Sequence, residues 1–191
     1  MTNKEILSWL LEGDISIQYQ AYKDLLNNNK QILRERIEHE GWGAKFLSYR
    51  QPTKYWGRGF YQPKWTSTHY TLLDLKNLAI SPYNILIKET LDIIFEKEKG
   101  QDGGIYAIGT DKRSDICING MILNYSSYFN VKEAYLNSVI DLLLKEKMSD
   151  GGFNCWSNRS GATHSSLHTT LSVIEGIHEY RTNGYSYRVD E

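Results

Sequence analysis

The sequence predicts an all-α protein assembled from helical hairpins, and three observations predict it. A glycine-tight loop recurs three times: Gly57, Gly104 and Gly152 each follow an aromatic residue or a glycine, 47 and 48 residues apart (104 − 57 and 152 − 104). Each loop then leads into a helix opening, Thr68-His69-Tyr70-Thr71-Leu72, Asp115-Ile116-Cys117-Ile118-Asn119 and Ser166-Leu167-His168-Thr169-Thr170-Leu171. The apolar residues of these segments recur with a period near 3.6, and no segment reads as a strand. A repeat of roughly 48 residues made of helix pairs implies an array in which each hairpin buries its apolar face against its neighbours.

Taken in order, Thr2 with Glu5 forms a capping box ahead of the first helix, and Gly13 ends that helix. Asp14 caps a second helix predicted over 15–27, with Ile17, Ala21, Tyr22 and Leu25 in the core. A third is expected over 30–49, interrupted or bent at Gly41-Trp42-Gly43. Residues 51–64 are irregular, broken by Pro52, Gly57, Gly59 and Pro63. Helices follow over 67–78 and 82–98, with Pro82 in a first-turn position. Residues 102–113 are a loop, and helices at 115–125 and 131–148 make the next hairpin. The last helix runs from about residue 166 to Arg181, where Asn183-Gly184 ends it with no second helix to complete the pair. Its expected core side is Leu167, Leu171, Ile174 and His178, flanked by Thr170, Val173 and Ile177; His168 then falls on the polar stripe. The expectation is one domain over 1–191, with N-terminal helices in 1–50 and three loop-and-helix repeats in 51–191.

The chain has 191 residues and a net charge of −1, so no strong field draws it to nucleic acid or an anionic membrane. It shows neither a cationic leader before an apolar run nor an apolar stretch near 20 residues, so no membrane span is expected and a cytoplasmic location is. Two cysteines make no disulfide framework, and a reducing compartment fits them better.

Asp115, Cys117 and His168 supply a carboxylate, a thiolate and an imidazole, the donors that zinc prefers. Within a helix, positions i and i+2 point about 200° apart, so Asp115 and Cys117 share an ion only if Asp115 is the N-cap. Matching the helix openings sets Cys117 against His168. Counting from the glycines misses by three (117 − 104 = 13, 168 − 152 = 16), so the last loop must be longer. Three alternatives stay open: His164 replacing or joining His168, Cys155 as a fourth ligand closing the site, and His69 as a rim equivalent of His168 through a shared His-x-Thr-Leu.

The alternation of hairpins with Gly-Gly-aromatic loops resembles the α/α toroid of terpenoid cyclases and protein prenyltransferase β-subunits. Asp115-x-Cys117, followed one repeat later by Leu167-His168-Thr169-Thr170, resembles the prenyltransferase zinc site. The resemblance implies a partial ring of hairpins, zinc held by Asp115, Cys117 and His168, and an isoprenoid or other hydrophobic small molecule as substrate. It also implies a partner chain or self-association that completes the ring. The acidic Asp-x-Asp-Asp of hopene-forming cyclases is missing, since the matching segment is Asp115-Ile116-Cys117-Ile118.

Cations in the loops before the inner helices (Arg58, Lys64, Lys112, Arg113 and Arg159) are candidates to bind a diphosphate. The aromatic residues Trp65, Tyr70 and Trp156, with Trp56, Tyr61 and Tyr106, are candidates to line an apolar pocket. The leading expectation is therefore a zinc-dependent, prenyltransferase-like enzyme. The rival is a non-catalytic helical scaffold that binds a peptide or protein partner. A carbohydrate enzyme using Asp74, Asp115 and Glu175 ranks last, because no spacing singles those carboxylates out.

Overall fold

A computed structural model of the chain describes residues 2–107 and 112–191; residues 108–111 of the loop expected over 102–113 lie outside it. The chain divides into two compact units, Met1–Leu86 and Ile87–Glu191. The described elements are helical, with one isolated antiparallel bridge between Lys99 and Ile105.

In the first unit, α1 (Asn3–Leu11) carries the expected capping box: Thr2 Oγ1 accepts the Glu5 amide and Glu5 Oε2 accepts the Thr2 amide. Asp14 caps α2 (Ile15–Gln20) through the Ser16 amide, and its second oxygen accepts the Trp42 amide at 2.9 Å. The helix expected over 15–27 does not stay regular; it passes into a π turn at Ala21–Leu25, which leaves Ile17 and Leu25 exposed and Ala21 buried. The helix expected over 30–49 with an interruption or bend at Gly41-Trp42-Gly43 is two helices, α3 (Gln31–Arg36) and α4 (Gly41–Ser48). Gly41 causes the break. Its φ is +61°, and a Cβ there would meet Asp14 Oδ2 at 2.1 Å, so only glycine lets Asp14 reach across to Trp42. After the irregular stretch, α5 (Thr68–Asn77) follows expectation within a residue or so.

The second unit contains α6 (Ile85–Lys97) apart from its first two residues, α7 (Ile116–Tyr128), α8 (Glu133–Lys145) and α9 (Leu167–Thr182). Pro82 lies ahead of α6 rather than in its first turn. Phe95 of α6 stacks on Tyr135 of α8 with ring centroids 5.8 Å apart. The tail after α9 folds back, with Glu133 Oε1 accepting the Tyr180 hydroxyl and the Ser186 and Tyr187 amides.

The core of this unit is the contact of α7 with α9, where the two backbones touch. A Cβ on Gly120 would lie 2.7 Å from the Ser172 carbonyl oxygen, and one on Gly176 2.4 Å from the Gly120 oxygen. Asn124 Nδ2 also donates to the Glu175 carbonyl at 3.0 Å.

This contact reverses the face expected of the last helix. The buried residues of α9 are Thr169, Ser172, Val173, Gly176 and Tyr180, whereas Leu167, Leu171 and Ile174 are 81%, 54% and 55% exposed. Periodicity marks the stripe richest in carbon, but backbone contact requires small side chains. The small stripe is the one α7 takes.

Candidate functional site

Each of the three Gly-rich loops is fastened to the helix it precedes by the same pair of hydrogen bonds. Thr68 Oγ1 accepts the Trp56 amide at 2.8 Å and donates to the Trp56 carbonyl at 3.1 Å. Asn119 does the same for Ile105, accepting at 2.8 Å and donating at 3.1 Å. Thr170 does it for Phe153, at 3.0 and 3.3 Å. Trp56, Ile105 and Phe153 are buried, so each clamp satisfies a loop peptide that water does not reach.

The last two loops are closed a second time by an aspartate. Asp102 accepts the Ser114 amide and hydroxyl, at 2.7 and 2.8 Å. Asp150 accepts the same two groups of Ser165. The Ser165 hydroxyl, then its amide, holds the Asp150 carboxyl below the ordinary carboxylate range. Phe153 follows Ile105 by 48 residues (153 − 105), while Ser165 follows Ser114 by 51 (165 − 114), so the last loop is three residues longer, as expected.

The clamps fix the register of the candidate residues. Cys117 stands two places before Asn119 and His168 two places before Thr170, so these two are equivalent. His69 follows its clamp residue, Thr68, and corresponds instead to Gly120 and Leu171. The shared His-x-Thr-Leu is therefore not a shared position.

At the start of α7, Asp115 is the N-cap residue, as zinc sharing would require, but its side chain caps nothing. The carboxylate instead takes Arg159 Nη1 at 2.5 Å, both side chains being about one-fifth exposed. Arg159 Nη2 also donates to the Arg113 carbonyl at 2.8 Å. The Arg113 guanidinium donates to the Asn158 carbonyl, and Asn158 Nδ2 returns a bond to the Ser114 carbonyl at 3.1 Å.

Cys117 is joined to Cys155 by a disulfide, with Cα atoms 5.9 Å apart. Cys155 Sγ accepts the Cys117 amide at 3.1 Å and the Thr169 hydroxyl at 3.4 Å. Arg113, Asp115 and Cys117 on one side, with Cys155, Asn158 and Arg159 on the other, form a clasp between loop 153–166 and the N-terminus of α7. Two cysteines make no framework, as read from the sequence, but side-by-side α7 and α9 bring these residues, 38 apart in sequence, into bonding distance.

His168 sits in the first turn of α9, exposed, beside the Thr169 that bonds Cys155. In this form Asp115, Cys117 and His168 do not fit a zinc ion, because the sulfur is bonded to sulfur and the carboxylate to a guanidinium. Among the described residues, no three His, Cys, Asp or Glu side chains are grouped to hold a metal.

The remaining candidates divide between the units. Arg58 and Lys64 are exposed in the first unit, with Lys64 Nζ 4.7 Å over the Trp65 ring. Trp65 packs on Tyr70 at 4.9 Å, and Tyr70 exchanges a hydroxyl bond with Tyr61 at 3.2 Å. Trp56 is core and donates its indole N–H to the Phe46 carbonyl. Trp56 and Trp65 line a cavity of about 320 Å³ with Phe46 and Tyr49. In the second unit Trp156 is exposed on the clasp loop, and the Tyr106 hydroxyl donates to the Lys112 carbonyl.

Sequence reasoning passed over Asn158, and it weighed Cys155 only as a metal ligand. The available signal was that Cys155 and Cys117 are the two cysteines of the chain. Comparison with family models, with curated proteins and with solved structures gives no match.

Proposed function

We propose that this chain is a helical-repeat binding scaffold, an open arc of α/α-toroid type that docks a further helix on the exposed face of α9. The observation that carries this reading is the clamp register. Gly120, Leu123 and Asn124 of α7 correspond to Leu171, Ile174 and Glu175 of α9, 51 residues on (171 − 120). On α7 these positions face α9. Gly120 meets the Ser172 backbone, Leu123 lies 3.3 Å from where a Gly176 Cβ would stand, and Asn124 bonds the Glu175 carbonyl. On α9 the same positions face solvent, and two of them are large and apolar. Leu171 in place of a glycine sets the incoming helix at an ordinary interaxial distance of about 8–10 Å.

The occupant is a second copy of this chain, which offers an apolar helical surface of its own at Ile6 and Trp9 of α1. Light scattering on the full chain is expected to give a mass above that of the monomer at about 100 μM, since a contact of α9 with α1 of another copy is heterologous. Leu171→Lys with Ile174→Lys is expected to give a monomer whose melting temperature changes by less than about 3 °C, since neither side chain is buried. A wild-type monomer under these conditions sinks the second copy as occupant.

A second reading, a zinc-dependent protein acting on an isoprenoid diphosphate, is favoured by one observation: Cys117 and His168 share a register at the starts of two packed helices. Zinc analysis of chemically reduced protein separates the two readings. The scaffold reading expects no stoichiometric zinc in the wild type. Stoichiometric zinc that is lost in both Cys117→Ser and His168→Ala would turn the choice to the enzyme.

A further inference from the structure

Beyond that reading, we infer that Cys117 and Cys155 form a reversible dithiol–disulfide site, exchanged by an external dithiol, in which Cys155 is the leaving thiolate. Three features of the pair support exchange over a fixed structural staple.

Neither cysteine is fully buried, so a thiol reaches them without unfolding the unit. The loop is also held without the sulfur bond. Thr170 clamps Phe153, Asp150 binds Ser165, Arg159 pairs with Asp115, and Asn158 bonds Ser114. Breaking the disulfide therefore leaves the loop in place and the thiols close together.

The two sulfurs also differ. Cys155 Sγ already accepts the Cys117 amide and the Thr169 hydroxyl, and the amide belongs to the first turn of α7, whose N-terminus favours negative charge. Both donors strengthen when the acceptor becomes a thiolate. The low-energy leaving group is thus Cys155.

The exchange proceeds in two balanced displacements. A thiolate of the external dithiol attacks Cys117 Sγ along the sulfur–sulfur axis. The disulfide bond breaks and its electron pair goes to Cys155 Sγ as a thiolate. The dithiol's second thiolate then attacks its own sulfur in the mixed disulfide and expels Cys117 as a thiolate. Overall the chain gains two electrons and the dithiol is oxidised to its disulfide; the reverse sequence restores the bond.

The test uses the native full chain and maleimide labelling, with circular dichroism followed in parallel. No label is expected before treatment, and two labels with an unchanged spectrum after dithiothreitol. Single-turnover treatment with glutathione, followed by peptide mapping, is expected to place the adduct on Cys117. Thr169→Val is expected to slow reduction roughly fivefold through loss of one bond to the forming thiolate, and Thr169→Ser to keep the wild-type rate. Four results would each overturn the inference: free thiols in air-purified protein, labelling only after denaturation, an adduct on Cys155, or a Thr169→Val rate equal to wild type.

Discussion

Gly176→Leu is expected to unfold the second unit or to lower its melting temperature by about 10 °C or more. The added Cβ would stand 2.4 Å from the Gly120 carbonyl oxygen and 3.2 Å from its carbon. Both are backbone atoms and cannot swing aside, so relief requires moving α9 away from α7. That separation also strains the Asn124 bond to Glu175 and opens the buried surface of Val173 and Leu123. Overpacking typically costs about 1–3 kcal/mol, and more where, as here, the obstacle is backbone, against the roughly 5–15 kcal/mol that holds a domain together. Replacing a mid-helix glycine gains about 1 kcal/mol of helix propensity, which is too little to change the sign. Gly59→Ala is the control: its Cβ meets nothing within 4 Å, so its thermal transition is expected to stay near that of the wild type. A Gly176→Leu protein that melts within about 2 °C of wild type would mean that the helices are not in backbone contact.

The same helix pair shows what could be read from the sequence. The loop-and-helix repeat was visible because glycine spacing and helix openings are written in residue types. Its register was visible only in part. Gly57 follows the clamped Trp56, whereas Gly104 and Gly152 precede the clamped Ile105 and Phe153, so aligning the glycines misplaces the first repeat by two residues. Of the buried face of α9 only Val173 was legible, because the small residues Thr169, Ser172 and Gly176 are buried by backbone approach and not by their own apolar area. The helix break at Gly41-Trp42-Gly43 was legible, but its cause, Asp14 reaching across from 27 residues earlier (41 − 14), was not.

At the candidate site the sequence offered residue types and not the bonds between them. Asp115, Cys117, Arg113 and Arg159 lie together at one helix start, whereas matching the openings sets Cys117 against His168. Sequence could not show that Arg159 would neutralise Asp115 or that Cys155 would take Cys117. A guanidinium held by a carboxylate at 2.5 Å must give up that pair before it binds a diphosphate. The clasp thus occupies Arg159, one of the cations on which the proposed diphosphate reading rests.

Acidification from pH 6.5 to 4.5 is expected to remove about 2–3 kcal/mol of stability through one residue, His69. The imidazole is fully buried in the first turn of α5, edge-on to Phe60 at 5.8 Å and to Tyr70 at 4.9 Å. Burial pushes its pKa down to about 3, against about 6.5 in the unfolded chain. A helix N-terminus disfavours the cation further. Between these two values the unfolded chain binds a proton that the folded chain refuses, so stability falls as pH falls, by about 1.4 kcal/mol per unit. Carboxylates held low, such as Asp150 and Glu133, begin to add to the loss below about pH 5, so the histidine is isolated by comparison with a variant and not by the choice of window. Denaturant unfolding of His69→Phe, compared with wild type at pH 6.5, 5.5 and 4.5, is expected to show a slope shallower by about one proton. Phenylalanine keeps the ring contacts and removes the titration, so the slope reports protonation apart from packing. Equal slopes would mean that His69 ionises in the folded state, and the acid sensitivity would then have to come from a group outside the Phe60–Tyr70 cluster.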